Sequence, residues 1–166
     1  GRMFVNFAQL FSNNPSDIAF SVNIMSGLCT AAAGMFICWV TIMLGKFCLE
    51  GRDTNTTMPE NVALALGGIT SGLASCFCIS VWFSAVEGEV YAMSTMFTAM
   101  TLWSMMRWYS APKDDKYDRW LIFTVFSAAL SIGVHLLSLL TFPALALLYY
   151  YKKWDNTSIK GAIIAT

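Results

Sequence analysis

IAFSVNIMSGLCTAAAGMFICWVTIMLG, residues 18–45, runs for 28 positions without an Asp, Glu, Lys or Arg. A helix needs roughly 20 apolar residues to cross a bilayer core of about 30 Å, so this stretch can span with room for tilt. It is entered through Asn14-Pro15-Ser16-Asp17, a helix start in which proline cannot continue a preceding helix and Ser or Asp can cap a new one. Three further charge-free runs follow, residues 61–86, 90–106 and 120–151. A water-soluble chain of 166 residues has no core large enough to hide so much charge-free sequence. The chain reads as an all-α integral membrane protein.

Composition agrees. Hydrophobic residues make up 57% and charged residues 12%, about half the charged share of an ordinary soluble domain. Ten basic residues balance ten acidic ones, which disfavours a nucleic-acid binder, an enzyme of acidic substrates and a disordered tail.

The runs translate into a polytopic helix bundle of about five crossings, at residues 18–45, 61–83, 91–108, 120–133 and 136–151. The second is rich in small residues (Gly67, Gly68, Ser71, Gly72, Ser75), which let membrane helices approach closely. The third ends in Arg107-Trp108-Tyr109, an interfacial signature. The last run, 32 residues long, would extend roughly 48 Å as one helix. It is therefore divided at Ser131-Ile132-Gly133-Val134-His135, its least lipid-like part; the alternative is one strongly tilted helix kinked at Pro143. The chain opens on Gly1 and closes on a fresh apolar stretch, Ala162-Ile163-Ile164. Residues 1–166 are accordingly expected to be a single transmembrane domain from a longer protein.

Alternating crossings place nine of the ten basic residues on one side, in residues 46–60, 107–119 and 152–160, against Arg2 alone on the other. Positive residues mark the cytoplasmic side. Residues 84–90 and the Gly133–His135 break then face outward, while the sequons at Asn55 and Asn156 face inward and are chance matches. The five cysteines are an odd number, and Cys76 and Cys78 have C-x-C rather than C-x-x-C spacing. They read as small packing residues, not as a disulfide framework or zinc site.

Ser84-Ala85-Val86-Glu87-Gly88-Glu89-Val90-Tyr91 puts two carboxylates between two apolar runs with no basic residue nearby. A charge at bilayer depth costs about 2.5–3.5 kcal/mol on insertion scales, so such residues usually have a partner or a task. Glu87 also has a purely structural reading: Ser84-x-x-Glu87 fits a capping box. That reading leaves Glu89 unexplained, which makes Glu89 the stronger functional candidate. Tyr91, four residues after Glu87, would share its helix face and hydrogen-bond to it or to a ligand hydroxyl. His135, the sole histidine, is ordinarily a packed, hydrogen-bonded residue in an apolar setting, but its outward position adds it to the candidates. Trp82 and Phe83 border the acidic stretch and suit a sugar or isoprenoid groove. No His/Cys cluster, nucleophile elbow or phosphate-binding glycine loop is present.

Trp82-Phe83-Ser84-Ala85-Val86-Glu87-Gly88-Glu89-Val90-Tyr91-Ala92-Met93-Ser94 resembles the signature of a bacterial membrane family, domain of unknown function 2723, grouped as glycosyltransferase family 117. Asp118-Arg119-Trp120-Leu121-Ile122 and Leu130-Ser131-Ile132-Gly133-Val134-His135-Leu136-Leu137 resemble its next block. Gly1-Arg2-Met3-Phe4 and Ile18-Ala19-Phe20-Ser21-Val22-Asn23 resemble its opening. The family is similar to the animal transmembrane protein O-mannosyltransferases and shares the GT-C architecture. The resemblance implies a bacterial inner-membrane, multi-pass enzyme with Glu87, Glu89 and His135 toward the periplasm. Its reaction would move a sugar, mannose by analogy, from a polyprenyl-phosphate donor to a hydroxyl of a protein or glycan acceptor. In the family a Trp-Asp-Cys-Gly-Glu-Phe loop supplies the catalytic carboxylate ahead of the Gly1-Arg2-Met3 region, and these residues lack it.

On this reading Glu89 and Glu87 are the candidate catalytic residues within the chain, orienting the acceptor or donor or holding a divalent metal. Tyr91, His135 and Trp82 are the candidate substrate-binding residues, with His135 donating to the lipid phosphate. The competing reading is a non-enzymatic membrane module, a transporter segment or a scaffold subunit, because intramembrane carboxylates and broken helices occur there too. The absence of an internal sequence repeat and the gathering of polar groups on one side favour the enzyme.

Overall fold

The computed structural model describes residues 5–6, 9–12, 14–50, 56–87, 90–154, 158 and 161–163, and these residues contain helices and turns but no strand. The chain divides into two compact units, Gly1–Met96 and Phe97–Thr166.

In the first unit the expected crossing at 18–45 is the long helix α1, Pro15–Glu50. Pro15 opens it as anticipated: the Asn14 carbonyl accepts the N–H groups of Asp17 and Ile18, both at 3.1 Å. The Asp17 carboxylate, in the first turn where the helix dipole favours an anion, accepts Ser12 Oγ at 2.9 Å. The next helix, α2 (Met58–Cys76), is capped by Thr57, whose N–H donates to the Glu60 carboxylate at 2.8 Å.

Helices α1 and α2 run antiparallel in very close contact. A Cβ placed on Gly72 would lie 2.7 Å from the Gly34 carbonyl oxygen, and one on Gly68 would lie 2.9 Å from that of Cys38. Only hydrogen fits there. Thr41 Oγ1 donates across the seam to Ser71 Oγ at 3.0 Å, and Cys76 Sγ reaches the Thr30 carbonyl at 3.5 Å. The buried stripe on α2 thus falls on Gly68 and Gly72, with Ser71 and Ser75 half-buried beside them, whereas Gly67 is exposed. Small residues on such a face let two helices approach this closely.

The second expected crossing, 61–83, is not one straight helix. It breaks at Phe77–Cys78, and a short helix α3 (Ile79–Val86) leaves at 60°. No Gly or Pro marks the break, and residue types alone do not cause it. Tertiary contacts hold it: Ser26 Oγ of α1 donates to the Ser84 carbonyl at 3.0 Å, and Ala85 is buried. Helix α4 (Val90–Ser110) follows, matching the third expected span to within two residues at each end.

In the second unit α4 continues to Ser110, and a 3₁₀ turn at Asp115–Tyr117 leads into α5, Asp118–Val134. The division of the last long run falls where the sequence placed it. Helix α5 ends at Val134 and His135 is extended (φ −155°, ψ 130°). A 3₁₀ turn, Leu136–Thr141, then leads to α6, Phe142–Lys153. Pro143 sits in the first turn of α6, where its missing N–H is harmless, so it starts a helix and kinks none.

Among the described residues α1 is the one helix long and apolar enough to cross a membrane, and the bent α2–α3 pair qualifies as a second if taken as one span. Hydroxyls share the interior with Met105, Met106, Trp108 and several alanines, and many large apolar side chains lie outside. Ser104, Ser127, Ser131, Thr101 and Thr124 are buried, while Leu28, Leu66, Ile122 and Leu140 are exposed. Between α4 and α5 the hydroxyls meet in antiparallel register. Ser104 and Thr124 lie 2.9 Å apart, and Thr98 and Ser131 lie 3.5 Å apart.

Lys152 fastens the other end of this unit. Its Nζ donates to the carbonyls of Trp108 and of Ala111, the latter at 3.0 Å, and sits 4.2 Å above the Trp108 ring. It therefore caps the C-terminal end of α4 from α6, where a cation is favoured. The Trp108 ring stacks on Tyr149, and its Nε1 donates to the Asp118 carboxylate at 3.1 Å. Burial holds the Lys152 pKa below the ordinary lysine value, Asp118 pulls it up, and Lys113 pushes it down. Lys152→Ala leaves two carbonyls without their donor and removes the cation from the ring. It is expected to cost about 2 kcal/mol, read as a lower melting temperature of the purified protein, with Lys153→Ala, on the exposed neighbour, near neutral.

Candidate functional site

An apolar groove of about 790 Å³ opens between α1, α2 and α3. Its walls include Phe20, Ile24 and Met35 of α1, Ile69 and Leu73 of α2, and Trp82 of α3. Three features build it. The Gly34–Gly72 contact fixes the distance between α1 and α2, the break at Phe77–Cys78 swings α3 across the end of α2, and Phe77 stacks on Trp82 with ring centroids 5.6 Å apart. Trp82 lines this groove and remains half exposed (51%).

Glu87 follows directly on this wall. Its backbone N–H donates to the Phe83 carbonyl at 3.1 Å, which makes it the C-terminal cap of α3, and its side chain is exposed. This corrects the expected capping box. Ser84 does not open a helix; it lies in the last turn of α3, and its Oγ donates back to the Ser80 carbonyl at 3.0 Å, as serine does inside helices. The pattern misled because a capping box needs the helix to begin at Ser84, and here it begins six residues earlier, after Cys78.

The shared face of Glu87 and Tyr91 is corrected for the same reason. Glu87 closes α3 and Tyr91 is the second residue of α4, so no single helix carries both. Tyr91 is 46% exposed, and its carbonyl accepts Thr95 Oγ1 at 2.9 Å. Glu89 lies outside the described residues. With it goes the proposed Glu87–Glu89 metal pair, and among the described residues no group of three metal-ligating side chains occurs.

His135 belongs to the second unit. It is half-buried at the break between α5 and the 3₁₀ turn; its N–H donates to the Ser131 carbonyl at 2.9 Å, and its carbonyl accepts the Ser138 N–H at 3.3 Å. Around the break lies a hydroxyl cluster that the sequence reading passed over. Ser131 Oγ donates to Ser138 Oγ at 2.6 Å, and Thr98 Oγ1 stands 3.5 Å from both. Ser131 and Ser138 are buried. The signal was present, since the two serines stand four residues before and three after His135, but only folding of the break brings them together.

The first unit thus offers an apolar groove lined in part by Trp82 and Val86, and the next residue, Glu87, is exposed. The second offers a polar, hydroxyl-lined helix break. A family model described as protein O-mannosyl-transferase TMEM260 N-terminal domain matches residues 2–158. Comparisons with curated proteins and with solved structures find no match. The match covers nearly the whole chain and agrees with the resemblance to transmembrane protein O-mannosyltransferases carried by the acidic block; the chain belongs to the protein O-mannosyl-transferase TMEM260 N-terminal domain family.

Proposed function

We propose that this chain is the membrane-embedded part of a GT-C-type glycosyltransferase that moves mannose from a polyprenyl-phosphate carrier to a hydroxyl acceptor, a protein Ser or Thr, on the extracytoplasmic face. The family assignment over residues 2–158 is the observation that carries this reading. The five-crossing arrangement, with residues 84–90 and His135 outward, is part of the same proposal. It draws support from the one-sided distribution of basic residues and from the many large apolar side chains left exposed, which suit helices whose solvent is hydrocarbon.

On this reading the groove between α1, α2 and α3 holds the first isoprene units of the donor. Its volume of about 790 Å³ and almost wholly apolar walls suit a branched hydrocarbon chain, which on leaving lipid gains close packing there rather than release from water. Direct transfer then needs a carboxylate to take the proton of the acceptor hydroxyl and donors to stabilise the departing phosphate. Within the first unit Glu87 and Glu89 serve the acceptor side or hold a divalent metal.

The test is transfer of radiolabelled mannose from a polyprenyl-phosphate donor to a Ser/Thr peptide by the purified intact protein in lipid. Labelled peptide is expected; release or movement of the sugar without a peptide product would reject the enzyme reading. Gly27→Phe probes the groove. Gly27 lines it and has open space where a Cβ would stand, so the ring enters the groove without backbone conflict. A rise of about tenfold in KM for the lipid donor, about 1.4 kcal/mol of binding, is expected with little change in kcat.

A further inference from the structure

We propose that α3 is an interfacial anchor: it lies along the headgroup–acyl boundary of the outer leaflet and does not carry the second span across the membrane. The inference rests on the membrane reading above and concerns one helix within it. Helix α2, at 19 residues, rises about 28 Å and matches a hydrocarbon core of about 30 Å by itself. The eight residues of α3, bent away by 60°, add only about 6 Å along the α2 axis. A helix in that position runs mostly sideways.

Its side chains fit the place. Ile79, Trp82, Phe83 and Val86 stand at i, i+3, i+4 and i+7, one helical face, and all four are at least half exposed. Phe77 extends the patch through its stack on Trp82. The opposite side is committed to protein, through buried Ala85 and the Ser26–Ser84 hydrogen bond. A tryptophan with one face in hydrocarbon and an N–H toward water is favoured at the interface. Glu87, exposed at the end of α3, sets the water side of the boundary, because an unpaired carboxylate at the bilayer centre is strongly disfavoured. An apolar helix face with tryptophan, closed by an exposed carboxylate, fits the surface of a bilayer.

Nitroxide depth measurements on the intact protein in lipid nanodiscs test this. Cys48 and Cys78, the exposed cysteines among the five, are replaced by serine, and single labels are placed at Phe83→Cys on α3 and Leu66→Cys near the middle of α2. The expected result is a deep, oxygen-rich position for Leu66 and a shallow position near the phosphates for Phe83, with substantial access for both oxygen and a nickel chelate. A Phe83 label as deep as Leu66 would overturn the proposal in favour of one broken span. A Phe83 label shielded from both reagents would overturn it in favour of a protein partner on α3. A Leu66 label bathed in the aqueous chelate would reject the membrane reading itself, and this proposal with it.

Discussion

Gly72→Leu is expected to be the most damaging single substitution in the first unit. A Cβ at residue 72 would meet the Gly34 carbonyl oxygen at 2.7 Å and the Cys38 Cβ at 3.2 Å. The first of these is backbone and has no rotamer by which to move aside. The helices must separate, which breaks the Thr41–Ser71 and Cys76–Thr30 contacts and widens the groove they frame. Overpacking of this kind costs about 3 kcal/mol, a drop of several degrees in melting temperature, and on the proposed function binding of the lipid donor is expected to weaken with it. Gly67→Leu is the matched control. It lies on the same helix, and no atom stands within 4 Å of its Cβ position. There leucine gains helix propensity, about 0.8 kcal/mol over glycine. Thermal unfolding of the two variants in the same detergent separates seam packing from a general intolerance of bulk on α2; equal melting temperatures would show that the seam is not a determinant of stability.

The same contrast explains what could be read before folding. The charge-free runs located α1 and α4 closely because helix length and apolarity are local properties. The Gly/Ser composition of residues 61–75 indicated close packing, and Gly68 and Gly72 are indeed buried. The spacing does not say which glycine faces the neighbour, and Gly67, equally small, points away. The break at His135 was legible because Gly, Ser and His interrupt an apolar run. The break at Phe77–Cys78 was not, because nothing in those residue types forbids a helix, and the contact that ties α3 to α1 comes from the Ser26 hydroxyl, 58 positions upstream of Ser84. The error at Ser84–Glu87 follows from that one. With the break unseen, the start of α3 was unseen, and a motif defined by distance from a helix start was assigned to its end.

Glu89→Gln is expected to reduce mannosyl transfer by about a hundredfold or more while the protein still accumulates and unfolds at its usual temperature. The expectation follows from how differently the two carboxylates of the acidic block are accounted for. The carboxylate of Glu87 does nothing for α3: the backbone N–H closes the helix and glutamine keeps that bond, while the carboxylate stands exposed at the negative end of the helix, where an anion is disfavoured, so Glu87→Gln is expected to leave stability unchanged or slightly raised. Glu89 immediately precedes Val90, the first residue of α4, and a carboxylate there has one ordinary alternative task, to face the positive end of the helix dipole. That task predicts a different outcome. Glutamine would cost up to about 1 kcal/mol of stability and leave kcat unaltered. A glutamate acting on the acceptor instead loses kcat, and the acid limb of the pH–rate profile moves, since the group that must be ionised has been removed. A glutamate holding a divalent ion gives a third pattern, a loss partly restored by raising the metal concentration. Transfer at the wild-type rate in Glu89→Gln would remove this residue from the site.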